Sequence, residues 1–263
     1  MVLIVSTFGA TDRYPDREMM AKTLRAFLGS LRRQTSSAFR LFLVGHDLPP
    51  VSLAEPWISW TSISDGNGGS YVHRYLPQLA TDHLFFDSRG MADKITDMGL
   101  KTYRAVIEAG RWAHERELSS FWILRMDSDD LLHKGMVSLL MSLDPGKVQA
   151  VFNRMCHMYD PTTGEIAEKR HPWSTTANAL HYRMSESGAF DPAWFYHCRD
   201  HTTFWKTVRK DGIKAMEVEH TLCITTNTGN SISGRPGLAK ENGARKVRLT
   251  KELAERYGFD GFA

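Results

Sequence analysis

One stretch of sequence decides the fold that we predict for this chain, namely Phe121-Trp122-Ile123-Leu124-Arg125-Met126-Asp127-Ser128-Asp129-Asp130. Its four leading apolar residues are typical of a β-strand that is buried on both faces of a parallel sheet. The acidic cluster follows at once, so its three carboxylates come at the carboxyl end of the strand. Open α/β sheets bind their ligands at that edge. The stretch therefore predicts an α/β fold with a ligand site beside Asp127, Asp129 and Asp130.

The residues before this stretch alternate between strand and helix patterns. Residues 2–5 and 41–44 are apolar runs, and residues 17–33 between them place apolar side chains at helical spacing. Such a β-α-β unit predicts a parallel pair of strands with a right-handed crossover. Either residues 57–63 or residues 83–86 form the third strand. A long helix is predicted for residues 93–116.

The second half has a less regular pattern. A helix through Val137 and Leu140 follows the acidic cluster, and residues 148–155 are predicted to form a strand. Residues 160–165 have the composition of a hairpin turn. Further predictions are a helix over residues 200–210, one or two strands within 214–224, and an amphipathic stretch over 247–257. Neither a repeat nor a linker is evident, which favours one domain.

Composition limits the function classes. The chain has 263 residues, of which 42% are hydrophobic and 24% charged, as in ordinary globular proteins. Its net charge of +3 is too small to indicate nucleic acid as a partner. The three cysteines predict reduced thiols in a cytoplasmic protein. No apolar run approaches the roughly 20 residues of a membrane span, although basic residues near Arg32 permit peripheral contact with a membrane.

The acidic cluster has the residue types of a divalent-metal site. Asp127 and Asp129 alternate along the chain, which directs two carboxylates into one small volume. Mg²⁺ and Mn²⁺ prefer such oxygen ligands together with the phosphate oxygens of a substrate. An acidic surface turn is the alternative, but the strand before the cluster and the helix after it favour a functional site.

Several motifs in order resemble the family-two glycosyltransferases. The opening of that family is similar to Ser30-Leu31-Arg32-Arg33-Gln34-Thr35 followed by the strand at residues 41–44 and Asp47. Its central segment resembles Lys94 and the helix to Gly110, followed by the acidic cluster. Its later motifs resemble residues 199–205, 210–214 and 230–233. The form Arg-x-Asp-x-Asp-Asp at Arg125 is most similar to the bacterial rhamnosyltransferase branch, and the resemblance covers roughly residues 1–235.

This resemblance implies a GT-A (Rossmann-like) fold with a mostly parallel central sheet flanked by helices. It also implies a nucleotide-diphosphate sugar as donor, Mg²⁺ or Mn²⁺ as cofactor, and inversion at the anomeric carbon. The acceptor would be a glycan or a lipid-linked molecule. The resemblance to the rhamnosyltransferase branch alone implies that the transferred sugar is rhamnose. The single catalytic domain, 1–263, would then contain a nucleotide-sugar-binding half (1–132), an acceptor-side half (133–235) and a C-terminal tail (236–263).

The resemblance also implies roles for individual residues. Asp47 falls where the nucleotide is contacted, and Asp127 and Asp129 fall on the motif that binds metal and diphosphate. Asp200 falls on the general base. The loop over residues 65–89 is longer than the family usually has, and Asp65 is our choice for a second nucleotide-binding aspartate. Arg199 stands where the family has glutamate, a departure that bears on the base assignment.

The chemistry of glycosyl transfer requires the same residue types, independently of any family resemblance. The diphosphate leaving group needs a metal or a cation to stabilise its developing charge, for which Arg125 and Lys94 are candidates. Thr7, at the end of the first strand, is a further candidate for cofactor binding. The acceptor hydroxyl needs a base, for which Asp200 and His201 are candidates. Asp200 could equally cap a helix.

Other functions remain as alternatives. A sugar nucleotidyltransferase needs a glycine-rich basic loop after the first strand, and residues 8–13 match it poorly. A non-catalytic carbohydrate-binding protein with a degenerate site is disfavoured by the intact acidic cluster. A phosphohydrolase is disfavoured because its nucleophilic aspartate normally follows the first strand. Aromatic residues such as Trp205 can stack on a sugar ring, although most are expected in the core.

Overall fold

The fold is built around a large, mostly parallel β-sheet. The computed structural model describes residues 1–8, 16–63, 92–161, 163–171, 175–185, 201–226 and 244–259. Within these residues the sheet has seven strands in the order β10-β6-β9-β4-β1-β2-β3. The strands are β1 Val2–Thr7, β2 Phe39–Gly45, β3 Ile58–Ser62, β4 Ser120–Arg125, β6 Ala150–Asn153, β9 Asn178–Arg183 and β10 Ala215–Val218.

All strands of this sheet except one run in the same direction. β1 pairs in parallel with β2 and β4, β2 with β3, and β6 with β10, whereas β9 is antiparallel to both β4 and β6. The carboxyl ends of β1, β2, β3, β4, β6 and β10 therefore lie at one edge. The expectation of a mostly parallel central sheet flanked by helices is confirmed.

Helices cover both faces of this sheet, which is why its strands have nearly continuous apolar runs. The helices are α1 Arg17–Arg32, α2 Ala92–His114, α3 Met136–Ser142, α4 His201–Lys210 and α5 Lys251–Tyr257. Alternate residues of β1 enter different cores: Ile4 packs with residues of α1 and α3, whereas Val5 packs with residues of α2 and α4. No described helix combines the length and apolarity that a bilayer span requires.

A second sheet, which the sequence did not predict, packs beside the first. Its order in the described residues is β12-β8-β7-β11-β5, with β5 Leu131–Leu132, β7 Met155–Tyr159, β8 Ile166–Arg170, β11 Cys223–Thr226 and β12 Arg245–Val247. The strand predicted over residues 148–155 is in fact two strands, because the chain leaves the large sheet at Arg154 and enters the small one. The predicted hairpin turn is confirmed between β7 and β8.

The remaining element predictions can be compared with these bounds. Residues 57–63 contain the third strand, and the alternative at residues 83–86 lies outside the described residues. The amphipathic stretch at residues 247–257 contains the helix α5, and its first residue, Val247, ends the strand β12. Cys156 and Cys223 are free thiols, as expected, whereas Cys198 lies outside the described residues.

The end of α5 is anchored by a buried tyrosine among histidines. The Tyr257 hydroxyl donates to the backbone oxygen of Thr221 at 3.1 Å, and its ring lies 5.5 Å from the ring of His133. His133 Nδ1 accepts a hydrogen bond from the backbone N–H of Gly135 at 3.1 Å, at the start of α3. Burial, followed by the charges of His220, Arg256 and Lys134, lowers the pKa of His133 to about 4.

We predict that His133 makes folding sensitive to acid. The unfolded chain takes up a proton at this position near pH 6.5 and the folded chain only near pH 4, so the unfolded state binds more protons between these values. The free energy of unfolding should therefore fall as pH is lowered through this window, by about 1–2 kcal/mol once solvent screening of a partly exposed ring is allowed for. Urea denaturation across the window measures it.

The matched variant is His133→Asn, which retains an acceptor for the Gly135 N–H but does not titrate. Its unfolding free energy should depend less steeply on pH between 4 and 6.5 than that of the wild type. Equal slopes for the two proteins would contradict the prediction.

Candidate functional site

The acidic cluster lies at the carboxyl edge of the large sheet, in the loop between β4 and β5. β4 is bordered by β1 on one side and β9 on the other. Its register with β1, in which Val5 is opposite Arg125, brings the end of β1 next to the loop. The acidic cluster thus lies at the edge predicted from the sequence, and contacts of Asp127, Ser128 and Asp130 hold the loop there.

The first of these contacts is an ion pair between Arg125 and Asp127. Arg125 Nη2 donates to Asp127 Oδ1 at 2.7 Å, and the arginine side chain is only 3% exposed, whereas that of Asp127 is 25% exposed. The same nitrogen approaches the sulfur of Met98 on α2 at 3.6 Å. One oxygen of Asp127 is thereby fixed by a buried cation, and the carboxylate still reaches solvent.

Ser128 connects the loop to the first strand. Its Oγ donates to the backbone oxygen of Thr7 at 2.7 Å. The backbone N–H of Asp130 donates to the backbone oxygen of Asp127 at 3.2 Å, which closes a tight turn. Thr7 therefore supports the acidic loop through its backbone, and its proposed contact with a cofactor stays a prediction.

Asp130 is the buried anchor of the cluster. It is 4% exposed, and its Oδ1 accepts the backbone N–H of Thr226 on β11 at 3.0 Å. The hydroxyl of Thr176 donates to the sulfur of Met126 at 3.7 Å and acts to lower the pKa of Asp130. We did not single out Thr176 or Thr226 from the sequence, since nothing in a sequence pattern relates positions 130, 176 and 226.

The crowding of carboxylates has an electrostatic consequence. Burial, and after it the charge of Asp127, raises the pKa of Asp129 to about 7, although Arg125 acts in the opposite direction. Burial and the charges of Asp129 and Asp127 also raise the pKa of Asp130 well above its ordinary value. Ionising all three carboxylates at this edge is therefore costly, and such perturbed carboxylates are typical of sites for cationic or proton-coupled chemistry.

Asp47 follows β2 at the same edge of the sheet. It lines a pocket of about 120 Å³ together with Arg17, Met20, Leu48 and Pro50. Its own side chain is exposed, and Leu48 next to it is 77% exposed. The end of β2 therefore offers an open pocket with an acidic group, at the place where we predict the nucleotide.

The side chains of the other candidate residues lie outside what the structure describes. Lys94 lies in α2 and His201 is the first residue of α4, but the structure describes only their backbone. Asp65 and Asp200 lie outside the described residues. Their roles stay predictions.

The donor set suits a hard divalent cation that shares its ligands with a substrate. Asp127 and Asp129 supply carboxylate oxygens, and Mg²⁺ commonly takes one or two protein carboxylates together with substrate phosphates and water. Among the described residues, no group of three or more His, Cys, Asp or Glu could hold a metal ion. Of the described residues, Asp127 and Asp129 could thus hold a metal ion that a phosphate-bearing ligand also contacts.

Comparisons with known proteins complete the description of the site. No family model and no curated protein sequence matches the chain. Among solved structures, mouse xyloside xylosyltransferase 1 is similar with a TM-score of 0.41 and 13% identity, over 84% of this chain and 85% of that one. A candidate nucleotide-diphospho-sugar transferase of Desulfovibrio desulfuricans G20 has a TM-score of 0.39 and 10% identity, over 86% and 81%.

A third solved structure is the glycosyltransferase GlyE of Streptococcus pneumoniae TIGR4, with a TM-score of 0.34 and 12% identity. Here the similarity covers 82% of this chain and 45% of that one. All three similarities are distant, and only the residues of this chain can indicate its activity.

We predict that the acidic cluster destabilises the folded protein as pH rises. The folded state retains a proton on Asp129 up to about pH 7, whereas the unfolded chain loses it near 3.8, so stability is lost between these values. Asp129→Asn should remove this loss. Above pH 7 the variant should be more stable than the wild type, by on the order of 1–2 kcal/mol after screening.

Thermal unfolding of both proteins across this pH range tests it, with Glu115→Gln as control because Glu115 is a well-exposed carboxylate away from the cluster. The difference in unfolding free energy between Asp129→Asn and the wild type should grow as pH rises. The corresponding difference for Glu115→Gln should not change with pH. A constant difference for Asp129→Asn would contradict the prediction.

Proposed function

We propose that this chain is a glycosyltransferase that moves a sugar from a nucleotide-diphosphate donor to a glycan or lipid-linked acceptor. The observation that carries the proposal is the pair Asp127 and Asp129 at the carboxyl edge of β4, beside the buried cation Arg125. In open α/β sheets this edge binds nucleotides and their phosphates. The GT-A fold and the family-two and rhamnosyltransferase resemblances agree with it.

The leaving group sets the main chemical demand. When the glycosidic bond to the donor breaks, the diphosphate gains negative charge, and stabilising that charge lowers the barrier. Asp127 and Asp129 would hold the Mg²⁺ or Mn²⁺ ion, which supplies Lewis-acid stabilisation of the diphosphate when bound. Arg125 fixes Asp127 in one orientation, so the carboxylate needs no reorganisation when the donor arrives.

Other residues would bind the nucleotide and activate the acceptor. The pocket at Asp47 is a site of suitable size for part of a nucleoside, and its carboxylate can accept hydrogen bonds from a ribose or a base. Asp65, Thr7 and Lys94 complete the proposed donor contacts. Asp200, with His201 beside it, is the proposed base that takes the proton of the acceptor hydroxyl in an inverting displacement.

The wider proposals follow the same assignment. The chain would act as one catalytic domain over residues 1–263, with donor binding in residues 1–132 and acceptor binding in 133–235. It would work in the cytoplasm on polysaccharide precursors, with peripheral contact to a membrane where the acceptor is lipid-linked. Rhamnose is the proposed sugar, and no nucleic acid is a partner.

We predict metal-dependent hydrolysis or transfer with one donor from a panel of nucleotide sugars. Asp127→Asn and Asp129→Asn should each lower the rate by about 100-fold or more, the usual effect of losing a group that stabilises transition-state charge. Release of nucleotide diphosphate with added Mn²⁺, compared with excess chelator, measures it.

Asp144→Asn is the matched control, because Asp144 is a turn carboxylate that accepts the Gly146 N–H at 2.9 Å, and asparagine preserves this bond. It should have the wild-type rate. Turnover that survives Asp127→Asn would count against the proposal, and release of pyrophosphate from a nucleoside triphosphate would indicate a nucleotidyltransferase instead.

A further inference from the structure

A group of cations surrounds one tryptophan in the half of the chain where we propose acceptor binding. Arg154, Arg209 and Lys206 lie 5.6, 5.1 and 5.7 Å from the ring centre of Trp205. Glu217 binds Arg154 through two hydrogen bonds of 2.8 Å and Arg170 through one of 2.6 Å. We call this set the Trp205 cluster, which consists of Arg154, Arg170, Trp205, Lys206, Arg209 and Glu217.

The charges within the Trp205 cluster do not balance. Among the residues that the structure describes, its four cations accompany a single carboxylate, Glu217. The pKa of Glu217 is lowered chiefly by the hydrogen bond from Arg154, against the effect of burial, and further by the charges of Arg154, Arg170 and Arg209. Glu217 can neutralise one of the four positive charges, so the cluster keeps a net positive charge. This net charge would attract an external anion.

The cluster is also organised in advance. Arg154 and Glu217 are mostly buried, with side chains 25% and 18% exposed, and the tryptophan ring holds Arg154 and Arg209 by cation–π contact. Arg170 is 51% exposed and forms the open side of the group. An anion can therefore reach a guanidinium whose neighbours are already held in position.

The topology places this group along the same edge as the acidic cluster. Arg154 directly follows β6 and Glu217 lies near the end of β10, and both strands run parallel to β4. One strand, β9, separates β6 from β4. With neighbouring strands about 4.8 Å apart, the end of β6 lies about 10 Å along the sheet from the end of β4. This spacing is on the scale of one or two sugar units.

We propose that the Trp205 cluster binds a phosphate group carried by the acceptor, an inference that rests on the glycosyltransferase function proposed above. A phosphate monoester carries close to two negative charges at neutral pH and offers several acceptor oxygens to arginine forks. The surplus of cations over Glu217 matches such a group better than it matches a single sugar carboxylate. Glu217 occupies two of the arginines until the phosphate arrives and so acts as an internal competitor.

Calorimetric titration at low salt, with chelator present to suppress metal-dependent diphosphate binding, tests the proposal. The soluble probe is glycerol phosphate, with glycerol as the uncharged comparison. A second arm uses phosphatidylcholine vesicles with and without phosphatidic acid, and it distinguishes a lipid-borne phosphate from a free one. Binding in either arm supports the proposal, and binding in neither overturns it.

Variants of opposite expected effect make the test specific. Arg170→Ala should weaken phosphate binding about tenfold, the effect of losing one charge-assisted hydrogen bond at a half-exposed position. Glu217→Gln should strengthen it several-fold, because it releases arginines from their internal partner; a purely structural role for Glu217 predicts no gain. Thermal unfolding checks that each variant is folded.

Arg111→Ala is the matched control, since Arg111 is about as exposed as Arg170 and forms a similar pair with Glu108 at 3.3 Å on α2. It should bind the probes as the wild type does. An Arg170→Ala protein with wild-type affinity, or an equal loss in Arg111→Ala, would overturn the proposal. Nucleotide-sugar hydrolysis by the wild type is measured in parallel. Hydrolysis without phosphate binding would reject only the phosphate site. Phosphate binding without hydrolysis would reject both the enzyme function and the assignment of the bound anion to an acceptor.

Discussion

The ion pair between Arg125 and Asp127 is the constraint on which the candidate site depends. A guanidinium that is 3% exposed has lost most of its hydration and needs a partner. The partner is the first carboxylate after β4, so the direction of the loop is fixed by the residue that ends the strand. If Asp127 turned outward, the buried charge of Arg125 would lose the carboxylate that stabilises it. The loop therefore favours the arrangement in which Asp127 faces Arg125.

The second constraint is that the acidic loop joins two sheets. β5 begins directly after Asp130 and belongs to the small sheet, where it pairs with β11. Asp130 accepts a hydrogen bond from the end of that same β11, at Thr226. The loop is therefore fixed to the large sheet through Ser128 and Thr7 and to the small sheet through Asp130, and its position relative to both halves of the chain is set by hydrogen bonds.

Local sequence pattern was sufficient to predict the described strands and helices of the first half of the chain and the position of the acidic cluster after β4. The apolar runs of β1, β2 and β4 are long because both faces are buried, and such runs are visible in a sequence. The small sheet was missed for a physical reason. Its strands are short, partly exposed and paired across more than sixty residues, as in β11 with β7, so no local periodicity marks them. In the same way, the sequence placed Asp127 and Asp129 together but could not relate Asp130 to Thr226, or Trp205 to Arg154.

Under the proposed function, the acidic cluster and the Trp205 cluster bind two different anionic ligands, so these two groups of opposite charge have to be kept apart along the edge of the sheet. Carboxylates at the end of β4 attract cations, and they would repel a phosphate brought in on the acceptor. Placing arginines after β6, with β9 between the two groups, puts about 10 Å between them, comparable with the Debye length at physiological salt. Each group can then act on its own ligand with limited interference. The antiparallel strand β9, the exception in an otherwise parallel sheet, would in this proposal space the two charged clusters along the edge.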